Sequence, residues 1–157
     1  MSGAAIGLLP IEAAQLAELI TQFIELLADA DTRADPALAR LVPDAYRDDP
    51  AAAREFRRLT EADLLGRRVA DAQAMRESLA SVASRATDAG SSRRPVRLEL
   101  DAAQSGAWMR TLAALRLVLA SRLGIDDEDD HDDDPRFGVY DWLGYRLELL
   151  VQALDRD

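Results

Sequence analysis

The sequence predicts a mainly α protein: a bundle of four to five main helices around a central helix over about 101–123, with one short two-stranded β pair. Three observations carry this. Hydrophobic residues are 48% of the chain but aromatics only 5%, so the core is mostly Leu, Ala, Val and Ile, which favours helices over a β-sandwich. The stretch DAAQSGAWMRTLAALRLVLASRL, from Asp101 to Leu123, is apolar on more than one face and needs neighbours on several sides. Two short runs, Ile6-Gly7-Leu8 and Val96 to Leu100, each lead straight into a helix. At 157 residues a single domain over 1–157 is expected, long enough to bury a sizeable core.

In the central helix Trp108, Leu112, Leu115, Leu119 and Leu123 step by four, three, four and four. At about 100° per residue they share an arc of roughly 80°, a buried stripe. Asp101 with Gln104 reads as a capping box and Gly124 as a C′ glycine.

Earlier in the chain, Ala4 to Leu9 is a short apolar run, and Pro10 opens a helix to about Ala30 with Leu16, Leu19, Ile20, Phe23, Leu26, Leu27 and Ala30 inward. Asp35-Pro36 starts a short helix through Leu41, stopped by Pro43. Asp49-Pro50 starts another to about Leu59, and Thr60 with Asp63 looks like a second start, leading to about Arg85. Whether these two are continuous is open in the sequence. Leu65, Val69, Ala72, Met75, Leu79 and Val82 mark the inward face.

Thr87 to Pro95 is a loop, and Val96 to Leu100 alternates as a half-buried strand that pairs with the N-terminal run. Asp134-Pro135 starts the last helix, whose stripe is Tyr140, Leu143, Leu147, Leu150, Val151 and Leu154.

The inventory excludes much chemistry. The 157 residues contain no cysteine and no lysine, all 19 basic residues being Arg, so thiol nucleophiles, thiolate metal sites and Schiff-base lysines are absent. No GxGxxG or Walker-type glycine loop stands in the sequence. No cofactor and no metal site is expected, and an enzyme is the weakest class. The apolar N-terminal run is short and interrupted by Pro10, so neither a signal peptide nor a membrane span is expected, and a cytoplasmic location follows.

The net charge of −10 is local. Eight of the 29 acidic residues fall between Asp126 and Asp134, and the rest of the chain holds 21 acidic against 19 basic residues. The run IDDEDDHDDDP suits hard cations in principle, but it lacks the EF-hand glycine and closing glutamate. We expect a solvated, mobile acidic loop at about 125–135, with His131 a solvated member of it.

Candidate partner-contacting residues are Tyr46, Arg54, Arg57, Arg58, Trp142 and Tyr145. Arg54, Arg57 and Arg58 share one side of a helix, with Arg47, Arg67 and Arg68 flanking them. They suit docking of carboxylate or phosphate groups, or a salt-bridge network with Asp48, Asp49, Glu55, Glu61 and Asp63. Both readings stand. Trp142 and Tyr145 lie off the last helix's main stripe; if exposed they mark a partner or dimer surface, with half-buried packing the simpler reading.

Three separated segments, LVPDAYRDDPAAAREFRRLTEADL, VRLELDAAQSGAWMRTLAALRLVLASRLGI and VYDWLGYRLELLVQAL, occur in an order that resembles an actinobacterial domain family of unknown function often encoded beside the ClpS protease adaptor. The resemblance spans nearly the whole chain. It implies a small, mostly helical protein, in a family sometimes labelled as transcriptional regulators, and supplies no catalytic residues to carry over. It also implies a link to regulated proteolysis. The expected function is therefore a non-enzymatic interaction or regulatory protein, an accessory to Clp-type proteolysis, whose partner is Clp chaperone or adaptor machinery. A homodimer through the C-terminal helices is also expected. The alternatives are a nucleic-acid-binding regulator, for which no helix-turn-helix is found, and a carboxylate-based hydrolase, for which no acid pair stands out.

Overall fold

The first helix begins one residue after a short strand, and that junction sets the N-terminal geometry of the whole molecule. A computed structural model describes residues 3–29, 37, 41, 50–87, 93–124 and 138–155; of 29, 50, 52–62 and 87 it describes the backbone alone. Strand β1 (Ala4–Leu8) runs into helix α1 (Pro10–Asp29). Helix α2 (Pro50–Ala83) ends in a 3-10 turn over Ser84–Thr87. Strand β2 (Val96–Leu100) feeds helix α3 (Ala102–Leu123), and helix α4 (Gly138–Asp155) follows. The fold is mainly α, with four long helices and one two-stranded antiparallel sheet among the described residues. Among the described residues no helix is long and apolar enough to cross a membrane.

The two strands pair in the register Ala4↔Leu100 to Leu8↔Val96. Ala4, Leu8 and Leu100 are buried, so one face of this ribbon closes the end of the core. Helix neighbours run α1 to α2, α2 to α3 and α3 to α4, and α4 returns to touch β1. Two side-chain ties mark the order. Arg76 donates from Nη1 to Thr21 Oγ1 at 3.4 Å between α2 and α1. Arg110 on α3 grips Asp71 on α2 with two bonds of 2.8 and 3.0 Å, the planar fork that guanidinium and carboxylate form.

Helix α3 is capped as its sequence dictates. Asp101 Oδ1 accepts from the Gln104 N–H at 2.7 Å, and Gln104 Oε1 accepts from the Asp101 N–H at 2.9 Å. Gly124 ends the helix at φ 70°, in the left-handed region where a Cβ is strained. The buried surface of α3 is wider than the expected stripe. Ala107, Trp108, Thr111, Leu112, Ala114, Leu115 and Val118 are buried, about half the circumference at ~100° per residue. Leu119 and Leu123, expected inside, are half-buried, because α2 and α4 cover the helix from two sides and shift the enclosed sector toward Ala114 and Val118.

Two further expectations are corrected. The segments on either side of Thr60 form one continuous helix, α2, so Thr60 begins nothing new. In α2 Ala72, Met75, Leu79 and Val82 are buried as their spacing predicts, with Leu65 and Val69 half-buried. On α4 Leu143 and Leu150 are buried, whereas Val151 is 37% exposed: it sits one residue, about 100°, round from Leu150 and leaves the core side. Ala37 and Leu41 join the core, but Ala30, the short helix expected at 35–41, the acidic run at 125–135 and His131 lie outside the described residues.

Candidate functional site

Proline at the first helical position sets φ for α1 and needs no hydrogen-bond acceptor there. Leu9 precedes it: its carbonyl accepts from the Ala13 N–H at 3.0 Å, the first bond of the helix. Glu12, in the first turn, reaches back so that Oε1 accepts from the Leu9 N–H at 3.1 Å. One carboxylate oxygen thus caps the helix, and its charge suits the positive end of the helix dipole.

The other oxygen gathers α4. Oε2 accepts from Trp142 Nε1 at 3.0 Å and from Arg146 Nη2 at 2.6 Å. Arg146 also donates from Nη1 to the Gly7 carbonyl at 2.9 Å, which ties α4 to β1. Trp142 and Arg146 are four residues apart on α4, so they stand one turn apart on the same side. The guanidinium carbon lies 5.5 Å from the Trp142 ring centroid and 5.9 Å from that of Tyr145, within cation–π range of both. Side-chain exposures of 17% for Arg146 and 20% for Glu12 put the ion pair largely out of water. Burial alone would push the Glu12 carboxyl up. The Arg146 hydrogen bond and charge, the Leu9 N–H and the Trp142 indole outweigh that and hold it below its ordinary value of 4.5.

A second Arg packs against the same helix. Arg116 of α3 lies 4.4 Å from the Tyr140 ring centroid. It crosses α4 at Gly144, where an added Cβ would sit 2.9–3.0 Å from the guanidinium. The glycine in YDWLGYR is therefore a gap for an arginine, not a break in the helix.

Between α1 and α4 the ring of helices stays open, leaving a groove of about 600 Å³. Leu16, Leu19, Val139 and Trp142 give it an apolar lining, and its charged lining residues are Glu12 and Glu18. Val139 is 52% exposed and Tyr145 59%. Beneath, β1, α1, α3 and the C-terminal half of α4 enclose a smaller cavity of about 200 Å³, into whose lining Arg146 also enters. Arg146 stands between the two spaces.

Of the residues singled out from sequence, the structure brings Trp142 and Tyr145 together around Arg146. Trp142 is half-buried and hydrogen-bonded, and Tyr145 is exposed. Arg54, Arg57 and Arg58 lie on α2 with only their backbone described, and Tyr46 is outside the described residues. On that helix Arg67 meets Asp63 at 3.0 Å, both side chains largely in water. Sequence reasoning missed Glu12 and Arg146. The available signals were the Glu in the first turn behind Pro10 and the four-residue spacing of Trp142 and Arg146. Among the described residues no group of three or more His, Cys, Asp or Glu could hold a metal ion.

A helical bundle closed by one β ribbon, with an acid–indole–guanidinium cluster joining α1 to α4, defines a small, mainly α domain. The chain belongs to the family described as a domain of unknown function, DUF2017, whose model matches residues 2–154. It is similar to proteins called oxidative stress regulator AosR in Mycobacterium bovis and in two strains of Mycobacterium tuberculosis. Each is 29% identical over 187 aligned positions, covering 94% of this chain and 80% of the relative. The expected membership of a family of unknown function thus holds, and the relatives named are mycobacterial, hence actinobacterial, proteins called regulators. No solved structure matches the chain.

Proposed function

We propose that this protein is a regulator that acts by binding another protein, catalyses no reaction of its own, and docks its partner in the α1–α4 groove. Trp142 carries the reading. Its indole N–H is satisfied by Glu12 inside the protein, while its ring lines the groove together with exposed Val139 of α4 and Leu16 and Leu19 of α1. Aromatic side chains fixed in this way anchor interfaces with little ordering cost. Glu12 is neutralised by Arg146, which leaves Glu18 as the groove's attracting charge, so the fitting occupant is an amphipathic helix with a basic residue on its flank.

The relatives' name supports a regulatory role. Without cysteine among its 157 residues, any response to oxidants in this chain does not run through a thiol of its own. The finer reading names Clp-type chaperone or adaptor machinery as the partner and the cytoplasm as the compartment. It is supported by the resemblance to a family encoded beside the ClpS adaptor.

Affinity capture from native cytosol tests this, comparing the wild type with Val139→Arg and Tyr145→Glu, and with Arg67→Ala as a remote control. We expect a stoichiometric protein retained by wild type and control but lost by Val139→Arg, in the groove lining, and by Tyr145→Glu, exposed one turn beyond Trp142 on the same helix. Capture indifferent to both would sink the groove. A second copy of the chain as the captured species would make α4 a dimer surface. Retention of duplex DNA with steep salt dependence would favour the nucleic-acid alternative.

A further inference from the structure

We propose that the outer edge of β2 is a self-association surface, where two copies of this chain join their ribbons into one four-stranded antiparallel sheet. The inference is independent of the α1–α4 groove.

The pairing inside the ribbon fixes which backbone groups face outward. Antiparallel partners alternate between pairs that exchange two hydrogen bonds and pairs that turn their N–H and C=O groups away from each other. Leu8↔Val96 is of the first kind, because the second would need an N–H from Pro95, which has none. Gly7↔Arg97 is then of the second kind, and the Gly7 carbonyl is held by Arg146 instead of by β2. By the same alternation Arg97 and Glu99 direct their N–H and C=O groups off the edge of β2, which has no third strand beside it among the described residues. The edge is bounded at both ends. Pro95 has no N–H to give, and Asp101 commits its N–H to Gln104 and its carbonyl to Ser105. Between these ends stand two donors and two acceptors, all on Arg97 and Glu99.

A second copy is the occupant that fits, because the segment is its own complement. Val96-Arg97-Leu98-Glu99-Leu100 reads apolar, positive, apolar, negative, apolar. Two such strands running antiparallel about Leu98 set Arg97 opposite Glu99 on both sides of the axis. The backbone groups of the two edges then close four hydrogen bonds, with Leu98 beside its own counterpart. Opposite charges facing across a ladder stabilise it, and like charges directly opposite destabilise it. Sliding the strands by two residues sets Arg97 against Arg97 or Glu99 against Glu99, so the charges select one register. Leu98 and Val96 are half-buried in the single chain, and pairing covers more of both. Arg97 now meets Glu99 of its own strand at 3.4 Å, with the side chains 74% and 77% exposed. Exchanging that solvated contact for a cross-strand one gives up little. One short ladder is a small interface, so association in the micromolar range is expected.

The test is sedimentation equilibrium of the full chain over about 1–500 μM, a span that brackets such affinities. We expect a monomer–dimer equilibrium. Arg97→Glu or Glu99→Arg alone sets like charges opposite each other and weakens the dimer by about tenfold or more. Combining the two substitutions restores the match, as does mixing the two single variants, and both recover the dimer. The positions are exposed, so the variants keep the fold, which circular dichroism checks. Hydrogen exchange followed by NMR gives a backbone readout. Dimerisation slows the amides of Arg97 and Glu99, while Leu98, already bonded to Ile6, is unchanged. A monomer throughout the range overturns the proposal. So does a dimer that the single variants leave intact and Val139→Arg breaks, which places the contact on α4. A dimer lost in both single variants but not recovered by their combination overturns the register and with it the proposal.

Discussion

Glu12 and Trp142, 130 residues apart in the chain, meet at 3.0 Å through a carboxylate oxygen that Arg146 shares. This single oxygen joins the start of the first helix to the last one. The other oxygen caps α1, so the side chain serves secondary and tertiary structure together.

Glu12→Gln removes the charge while keeping the shape. Because the folded carboxyl is held below 4.5, its ionised form stabilises the fold above that pH, and the contribution is lost as pH falls through the lower folded value. We expect the variant to lose about 1.5–3 kcal/mol at pH 7, the scale of a hydrogen bond to a charged group. Its stability should also fall less steeply than the wild type's below about pH 4.5. Urea midpoints across the acid range read both effects.

Gly144 and Arg116 are coupled. In an exposed helix Gly→Ala gains about 1 kcal/mol, yet here the new methyl would displace a guanidinium from the Tyr140 ring, where stacking contributes about 0.5–2 kcal/mol. Gly144→Ala is therefore near neutral or destabilising alone and stabilising in an Arg116→Ala background. A double-mutant cycle of thermal unfolding that shows simple additivity would refute the coupling.

The two ends of α3 offer a local test. Asp101→Ala breaks the capping box and should cost about 1 kcal/mol. Gly124→Ala puts a Cβ at φ 70° and should cost about 1–2 kcal/mol. The sites are distant, so the combined variant should show the sum in chemical denaturation.

Thr111 is buried at 1% exposure, and its hydroxyl has no hydrogen-bond partner among the described residues. Thr111→Val keeps the branched shape and removes the unsatisfied group. A gain of about 1 kcal/mol is expected, read as a higher melting temperature. A loss of stability would mean that the hydroxyl is satisfied in solution.

The helices were legible because each carries its own periodicity and punctuation. Pro10 opens α1, Asp101 with Gln104 opens α3 and Gly124 closes it, all within one or two turns of chain. The pairing of the short apolar run at Ala4–Leu8 with the alternating Val96–Leu100 was also readable, while its antiparallel sense and register come from the structure. The cluster was not. Glu12 and Arg146 are 134 residues apart, and no local rule ranks this Glu or Arg above the many others. Trp142 stood out by type alone; what it bonds to depends on how α4 lies against α1. Val151 was misjudged because a stripe predicts which residues can face inward, not how far the neighbouring helix reaches.

The β ribbon has a consequence for how the chain is made. Its first strand leaves the ribosome long before its mate at Val96–Leu100, and the Arg146 that grips the Gly7 carbonyl comes later still. Throughout that interval the edge of Ala4–Leu8 has no native mate on either strand or helix. The ends of the chain are thus stitched together last, and synthesis that stalls before residue 100 leaves an unpaired strand edge of the kind that recruits other chains.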